Sequence, residues 1–176
     1  YFSGAQFIHV LLGPAVVAVG FPLWERRAEL QRSWGRFLLV ALAGGATAAI
    51  VAVVAGWAVG LTPDVLRSLA PKSVTAPVAM GIADKIGGVP ALAAVFAVLT
   101  GLVGALSARA LFKLLGVGTS DLDWVARGFA LGTASHGIGA ARALQVNADA
   151  GAYAGLALSL QVLLAALLMP LVARWF

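Results

Sequence analysis

Apolar residues in this chain fall into long uninterrupted runs, not into the narrow stripes of a water-facing surface. Residues 4–24, 37–60, 88–108 and 152–173 carry no Asp, Glu, Lys or Arg. Each is long enough to span, because about 20 residues of helix cross the hydrocarbon core of a bilayer. In the first run Pro14 and Pro22 interrupt the pattern, and Gly13-Pro14 predicts a kink or break near its middle. Gln6 and His9 lie on its first half. A single His at helical spacing is read first as a packed core residue and second as a proton carrier. The run over 37–60 is the clearest spanning helix; its Gly44-Gly45 pair and many alanines predict close helix packing. Pro90 opens the third run, where a proline suits the first turn of a helix.

Two polar patches break this scheme. Residues 72–88, KSVTAPVAMGIADKIGG, and residues 132–144, GTASHGIGAARAL, sit between apolar surroundings yet hold hydroxyls, charges and glycines. Laying Ser73 on Ser135 also pairs Ala79 with Ala141 and Ile82 with Leu144. Each patch is followed, after a short gap, by an apolar run. Polar, glycine-rich backbone is costly in hydrocarbon unless it lines a protein cavity. Paired interrupted segments of this kind are the sequence pointer to a transporter's substrate site. The competing reading is a pair of surface loops, which the many small apolar residues in both patches disfavour.

The links between runs set orientation. Residues 25–36 form a charged connector with Arg26, Arg27, Arg32 and Arg36 against Glu25 and Glu29, flanked by Trp24 and Trp34. This is the strongest cytoplasmic signal in the chain. Residues 61–71 form a short connector on the opposite side, 116–127 a polar link, and 142–151 a second connector with Asn147 and Asp149. Between those last two, residues 128–141 are apolar but short. If residues 72–88 cross the membrane, Arg109 and Lys113 fall outside, against the positive-inside bias. If they re-enter, these residues join the Arg-rich side, and the two patches acquire opposite orientation, the mark of an inverted repeat.

An interrupted helix exposes unpaired N–H groups at one start and unpaired carbonyls at the other end, attracting anions and cations respectively. Ser73, Thr75, Thr133 and Ser135 add hydroxyls at the two breaks without adding charge, beside Pro77 and Gly137. Such a site suits a small carboxylate. Lys72, Lys85 and Arg142 lie nearby as sources of positive charge, with Asp84 as a further charged candidate. For Lys72 and Lys85, snorkelling to an interface is the preferred reading. His136 is the stronger functional candidate of the two histidines, to bind a carboxylate or to titrate in proton coupling. A packing role for it stands equally open.

Composition narrows the class. Of the 176 residues, 61% are hydrophobic and 11% charged, against roughly 45–50% and about 25% in soluble domains. Mean hydropathy is +0.98, and an integral membrane protein is expected. The net charge of +5 comes from basic residues that mostly flank apolar runs, not from one dense tract, so no nucleic-acid partner is expected. With no cysteine, disulfides, thiol catalysis and Cys-based metal sites are excluded. No hydrolase elbow, zinc-protease, P-loop or dinucleotide motif is present, so the chain is read as not an enzyme, without cofactor or metal. Coupling to H+ or Na+ stays open. The first residue is Tyr1, not Met, and the chain is expected to lack N-terminal helices of the intact protein.

LLGPAVVAVGFPLW, KSVTAPVAMGIADKIGGVPALAAVFAVLTG and GTASHGIGAARALQVNADAGAYAGLAL together resemble the LrgB/CidB family of bacterial membrane proteins. The resemblance covers nearly the whole chain, and its SVTAP…IGG and GTASHGIG segments are specific. It implies an antiholin-like protein or regulator of murein hydrolase export, paired with a smaller holin-like LrgA/CidA-type membrane protein. It also implies passage of small 2-oxo or 2-hydroxy monocarboxylates, of the pyruvate, glycolate, glycerate or lactate class, as in a related plastidal glycolate/glycerate translocator. Many relatives carry Glu in the connector after the second patch, where this chain has Gln145 and Asn147. The expected architecture is thus all-α: one polytopic transmembrane domain over 1–176, multi-pass in the inner (plasma) membrane, with two interrupted or re-entrant segments. By analogy with carriers that need a fixed scaffold, a homo-oligomer is expected.

Overall fold

A computed structural model describes residues 21–25 and 27–172. Among them the chain is all helix and turn, without a strand. A short α1 (Phe21–Glu25) leads into α2 (Arg27–Ala58), followed by α3 (Pro63–Leu69), α4 (Ala76–Ile86), α5 (Pro90–Leu114), α6 (Asp121–Val146) and α7 (Ala148–Val172). Among the described residues three stretches are long and apolar enough to cross a membrane: Gln31–Ala58, Pro90–Leu114 and Ala148–Val172. They cover three of the four charge-free runs. Most of the first run, with Gln6, His9 and Gly13-Pro14, lies outside the described residues.

Several connectors turn out to be helix. Residues 27–36 continue into α2, because no proline stops them; Ser33 alone leaves helical geometry, at φ −126 and ψ 23. The expected connector over 61–71 holds α3, opened by Pro63 after Thr62. The link over 116–127 ends early: Ser120 and Asp123 form a reciprocal capping box that starts α6 at Asp121. The connector over 142–151 shrinks to Asn147, whose Oδ1 accepts from Ala150 N at 3.0 Å and caps α7.

Two chain reversals organise the interior. In α6 the backbone leaves helical geometry at His136. A Cβ placed on Gly139 would lie 2.5 Å from Leu131 O, whereas a continuous helix would hold these positions about 12 Å apart. Residues 137–146 therefore fold back along residues 121–135. In the first reversal along the chain, it leaves α3, runs through turns at 70–74 and returns as α4. Ser68 pins the two ends of this excursion: its Oγ donates to Asp64 O and accepts from Val89 N, both at 2.7 Å. Leu66 and Leu69 meet Gly56 near the end of α2, so the base of the first excursion lies there. The base of the second lies at the other end of α5, where Ala108 and Phe112 cluster with Trp124, Ala143 and Ala150.

Packing depends on small residues. The centre of α7, from Leu156 through Val162, is buried on every side, and its two polar side chains are paired, Ser159 Oγ donating to Gly155 O and Gln161 Nε2 to Ala41 O. Helix α4 rests on α5 and α7 through a layer rich in alanine: Ala79, Ala83, Ala93, Ala97 and Ala165, with Val74, Ile82, Leu158 and Val162. On the other side Phe37 stacks on Phe129 at 5.5 Å, joining α2 to α6. Gly128 and Gly132 face Ala150 and Ala154, one turn apart on each helix; Cβ atoms on the glycines would sit 2.2 and 2.1 Å from those residues' carbonyl oxygens. Such spacing lets backbones touch in lipid. Introducing methyls at both positions, G128A/G132A, is expected to cost about 1–3 kcal/mol per site. Thermal unfolding in detergent checks this, with Gly35→Ala, which meets nothing within 4 Å, as the unaffected comparison.

Candidate functional site

The two reversals meet. Thr75 is the residue from which α4 starts, with extended backbone at φ −60 and ψ 146 and no side-chain cap bond. A Cβ on Gly137, where the returning half of α6 begins, would lie 4.0 Å from the Thr75 methyl group. Two helix starts are thus placed side by side, each with first-turn N–H groups unpaired within its own helix. Pro77 fixes the first turn of α4 and offers no N–H, leaving Ala76 and Val78 as the donors there.

His136 makes the second reversal at φ 42 and ψ −133. This is close to the first central position of a type II′ turn, where glycine is favoured. A non-glycine there costs about 1–3 kcal/mol. The ring shows what offsets that cost. It is buried, its Nε2 lies 2.7 Å from Ala97 O of α5, and Gly101 leaves the notch that holds it: a Cβ on Gly101 would come within 2.8 Å of His136 Cε1. Opposite a carbonyl, Nε2 carries the hydrogen and donates.

The hydroxyls beside this turn are buried and unpaired. Ser135 is 1% exposed and Thr133 7%, yet neither Ser135 Oγ nor Thr133 Oγ1 has a hydrogen-bond partner, and Thr75 Oγ1 shares that condition. An unsatisfied buried hydroxyl costs roughly 1–3 kcal/mol; of the three, Ser135 lines the cleft described next, whereas Thr75 and Thr133 do not. Glycines make room for two of them. A Cβ on Gly104 would lie 1.8 Å from Ser135 Oγ, and one on Gly44 would lie 2.8 Å from the Thr133 methyl. Gly45 in turn receives Gln161, whose Nε2 donates to Ala41 O. The predicted packing role of Gly44-Gly45 is met by these contacts.

A cleft of ≈ 400 Å3 opens at the junction, lined by Lys72, Leu99, Thr100, Val103, Gly104, Ala134 and Ser135. The cleft is shallow and open, with Leu99 and Val103 on its rim more than half exposed. A larger hollow of ≈ 570 Å3 beside the Ser33 bend is lined by residues 31–36 alone, one stretch of a single helix. It brings no distant elements together and is not the site. Lys72, for which the sequence favours an interface, lines the cleft, where turns around the buried Pro71 and Val74 hold it. Ser73 is buried beside it and accepts from Lys72 Nζ at 3.4 Å. Asp84 and Lys85 are exposed in the last turns of α4, and Arg142 is exposed on the returning half of α6, donating to Gln145 Oε1 at 3.4 Å. These three do not line the cleft. The α5 wall, Ala97, Thr100, Gly101 and Gly104, was missed in the sequence; two glycines three apart in TGLVG were the available signal.

The sequence carrying this geometry matches the model of the LrgB-like family over residues 1–175. The chain belongs to the LrgB-like family. Among its relatives are an uncharacterized protein of Haemophilus influenzae, 31% identical over 99% of this chain and 74% of that protein. Another is the uncharacterized protein YxaC of Bacillus subtilis, 34% identical over the whole chain and 75% of that protein. The holin-like protein CidB of Staphylococcus aureus is 26% identical over the same shares. No solved structure matches. Family and apolar helices together make this LrgB-like chain a membrane protein.

Replacing His136 separates its two roles. H136A removes the bond to Ala97 and keeps the backbone cost, whereas H136G removes the bond and relieves the backbone. H136A is expected to be less stable than H136G by about 1 kcal/mol, measured by thermal unfolding in detergent.

Proposed function

We propose that this chain carries small monocarboxylates across the membrane, binding them where the two reversals meet. The observation that supports this reading most is the set of unpartnered buried hydroxyls, Thr75, Thr133 and Ser135, beside two adjoining helix starts. Helix starts favour an anion, and the hydroxyls supply donors for a carboxylate and its neighbouring oxygen. Pyruvate, glycolate, glycerate and lactate are of the right charge and size. The site is a binding site and not a catalytic one.

Depth within the membrane fits the same reading. Gly44 stands midway along Gln31–Ala58, and Gly101 and Gly104 midway along Pro90–Leu114. The 11 residues of α4 rise about 16 Å, half of a hydrocarbon core of about 30 Å. Both excursions then re-enter, from opposite faces, and meet at the centre. Residues 63–114 and 121–172 become an inverted repeat, each an excursion followed by a 25-residue span. Arg27, Arg32 and Arg36 orient the start of α2 to the cytoplasm, with Arg109 and Lys113 on the same side, in a multi-pass inner-membrane protein.

The name of the CidB relatives, holin-like protein, favours a second reading. In it the chain acts in holin or antiholin fashion through oligomerisation with itself or with a smaller holin-like partner of the LrgA/CidA type. Packing faces then matter, and flux is not saturable.

Uptake of labelled pyruvate or glycolate into proteoliposomes separates the two. A carrier gives saturable, competable uptake, and T75A and S135A each raise KM about two- to tenfold, the worth of one neutral hydrogen bond. Unsaturable, size-limited leakage unchanged by either substitution overturns the carrier reading. For orientation, a cysteine placed at Ala28 in this cysteine-free chain is expected to react with impermeant reagent only from the cytoplasmic side. Labelling from outside alone overturns that assignment.

A further inference from the structure

The cleft at the junction holds a single charged side chain. Of its seven lining residues, Lys72 alone is ionisable; Thr100 and Ser135 contribute hydroxyls, and the others are apolar. Among the described residues none of the acidic side chains lines it: Asp64 sits in the first turn of α3, Asp84 in the last turns of α4, and Asp123 and Asp149 near the starts of α6 and α7.

The lysine is held by backbone geometry. Its N–H bonds Leu69 O at 3.2 Å, and Val74 N bonds Pro71 O at 3.2 Å, so two tight turns bracket it. Pro71, Ser73 and Val74 on either side are buried. Lys72, half-buried, reaches the cleft across from Ser135, whose buried Oγ has no partner. Among the described residues the one hydrogen bond of its ammonium group is the 3.4 Å contact to Ser73 Oγ, a long one for an ammonium group. A partly desolvated ammonium with one weak neighbour is costly until an anion meets it.

We infer that Lys72 is the charge-reading residue of the cleft: it takes the carboxylate of the bound molecule, while Ser135 takes a hydroxyl or oxo group on the same molecule. This rests on the carrier reading above and adds the selectivity that the arrangement imposes. One ammonium neutralises one negative charge. A second carboxylate would meet Leu99, Val103 and Ala134, with no cation to receive it. A neutral amide would leave the ammonium unneutralised. The site therefore admits monoanions and rejects both the neutral analogue and the dianion, a discrimination by unpaired groups and not by size.

The test uses the full chain in proteoliposomes and labelled pyruvate, with unlabelled pyruvate, pyruvamide and malonate as competitors. In the unmodified protein pyruvate is expected to compete at least tenfold better than either pyruvamide or malonate. K72M is expected to weaken pyruvate about tenfold to a hundredfold, the range for a hydrogen bond to a charged group, and to narrow the gap between pyruvate and pyruvamide. K72R, which keeps the charge, recovers most of the affinity, and K113M, at the exposed end of α5, leaves KM unchanged. Equal competition by pyruvamide or malonate in the unmodified protein overturns the inference even if K72M does not assemble. An unchanged KM in K72M overturns it as well, with the carrier reading intact. Absence of any saturable pyruvate uptake in the unmodified protein overturns that reading and this one together.

Discussion

A peptide backbone that turns round within apolar surroundings must find hydrogen-bond partners inside the protein, since lipid offers none. At His136 the side chain anchors such a turn: the imidazole bonds the Ala97 carbonyl of α5, and the turn occupies backbone space normally left to glycine. The notch at Gly101, the contact of Ser135 with Gly104 and that of Thr133 with Gly44 all follow from bringing this turn into the interior. The polar atoms gathered there, and the cleft beside them, are consequences of the same reversal.

The first excursion meets the constraint differently. Its turn is spread over residues 70–74, with Pro71 and Val74 buried as anchors, and its ends are tied at the base by Ser68. The two ends differ: the base carries the hydrogen bonds that close the loop, and at the tip Thr75 Oγ1 has no partner among the described residues and Lys72 lines the cleft. Sites of action are commonly supplied by such segments, positioned by a rigid scaffold. Here the scaffold is α5 and α7.

The spanning helices were legible because charge-free length is a strong signal, and both interruptions were legible because hydroxyls and glycines are conspicuous within apolar runs. Connectors were read less well. Polar residues such as Glu29, Arg32, Asp121 and Asp123 belong to helices, and their charge was mistaken for loop because it marks exposure, not backbone shape. The reversal itself could not be read from TASHGIG, since the glycine that would announce a positive φ stands one position after the residue that adopts it. Nor could the α5 wall: Gly101 and Gly104 gain meaning only through what packs into them. The same holds for Gly128 and Gly132, whose one-turn spacing signals a contact without naming the partner, Ala150 and Ala154.

The layer between α4 and its neighbours is rich in alanine. Alanine has no side-chain torsion to reset, and a methyl group presents neither hook nor pocket to the surface opposite. Where those alanines face each other, sliding by a fraction of a turn exchanges one set of weak dispersion contacts for another, with little interlocking to undo. Helix α4, capped by Thr75, thus rests on a layer of methyl groups keyed by Val74, Ile82, Leu158 and Val162, while α6 and α7 are joined backbone to backbone. The two halves of the junction differ in how closely their backbones are held as well as in chemistry.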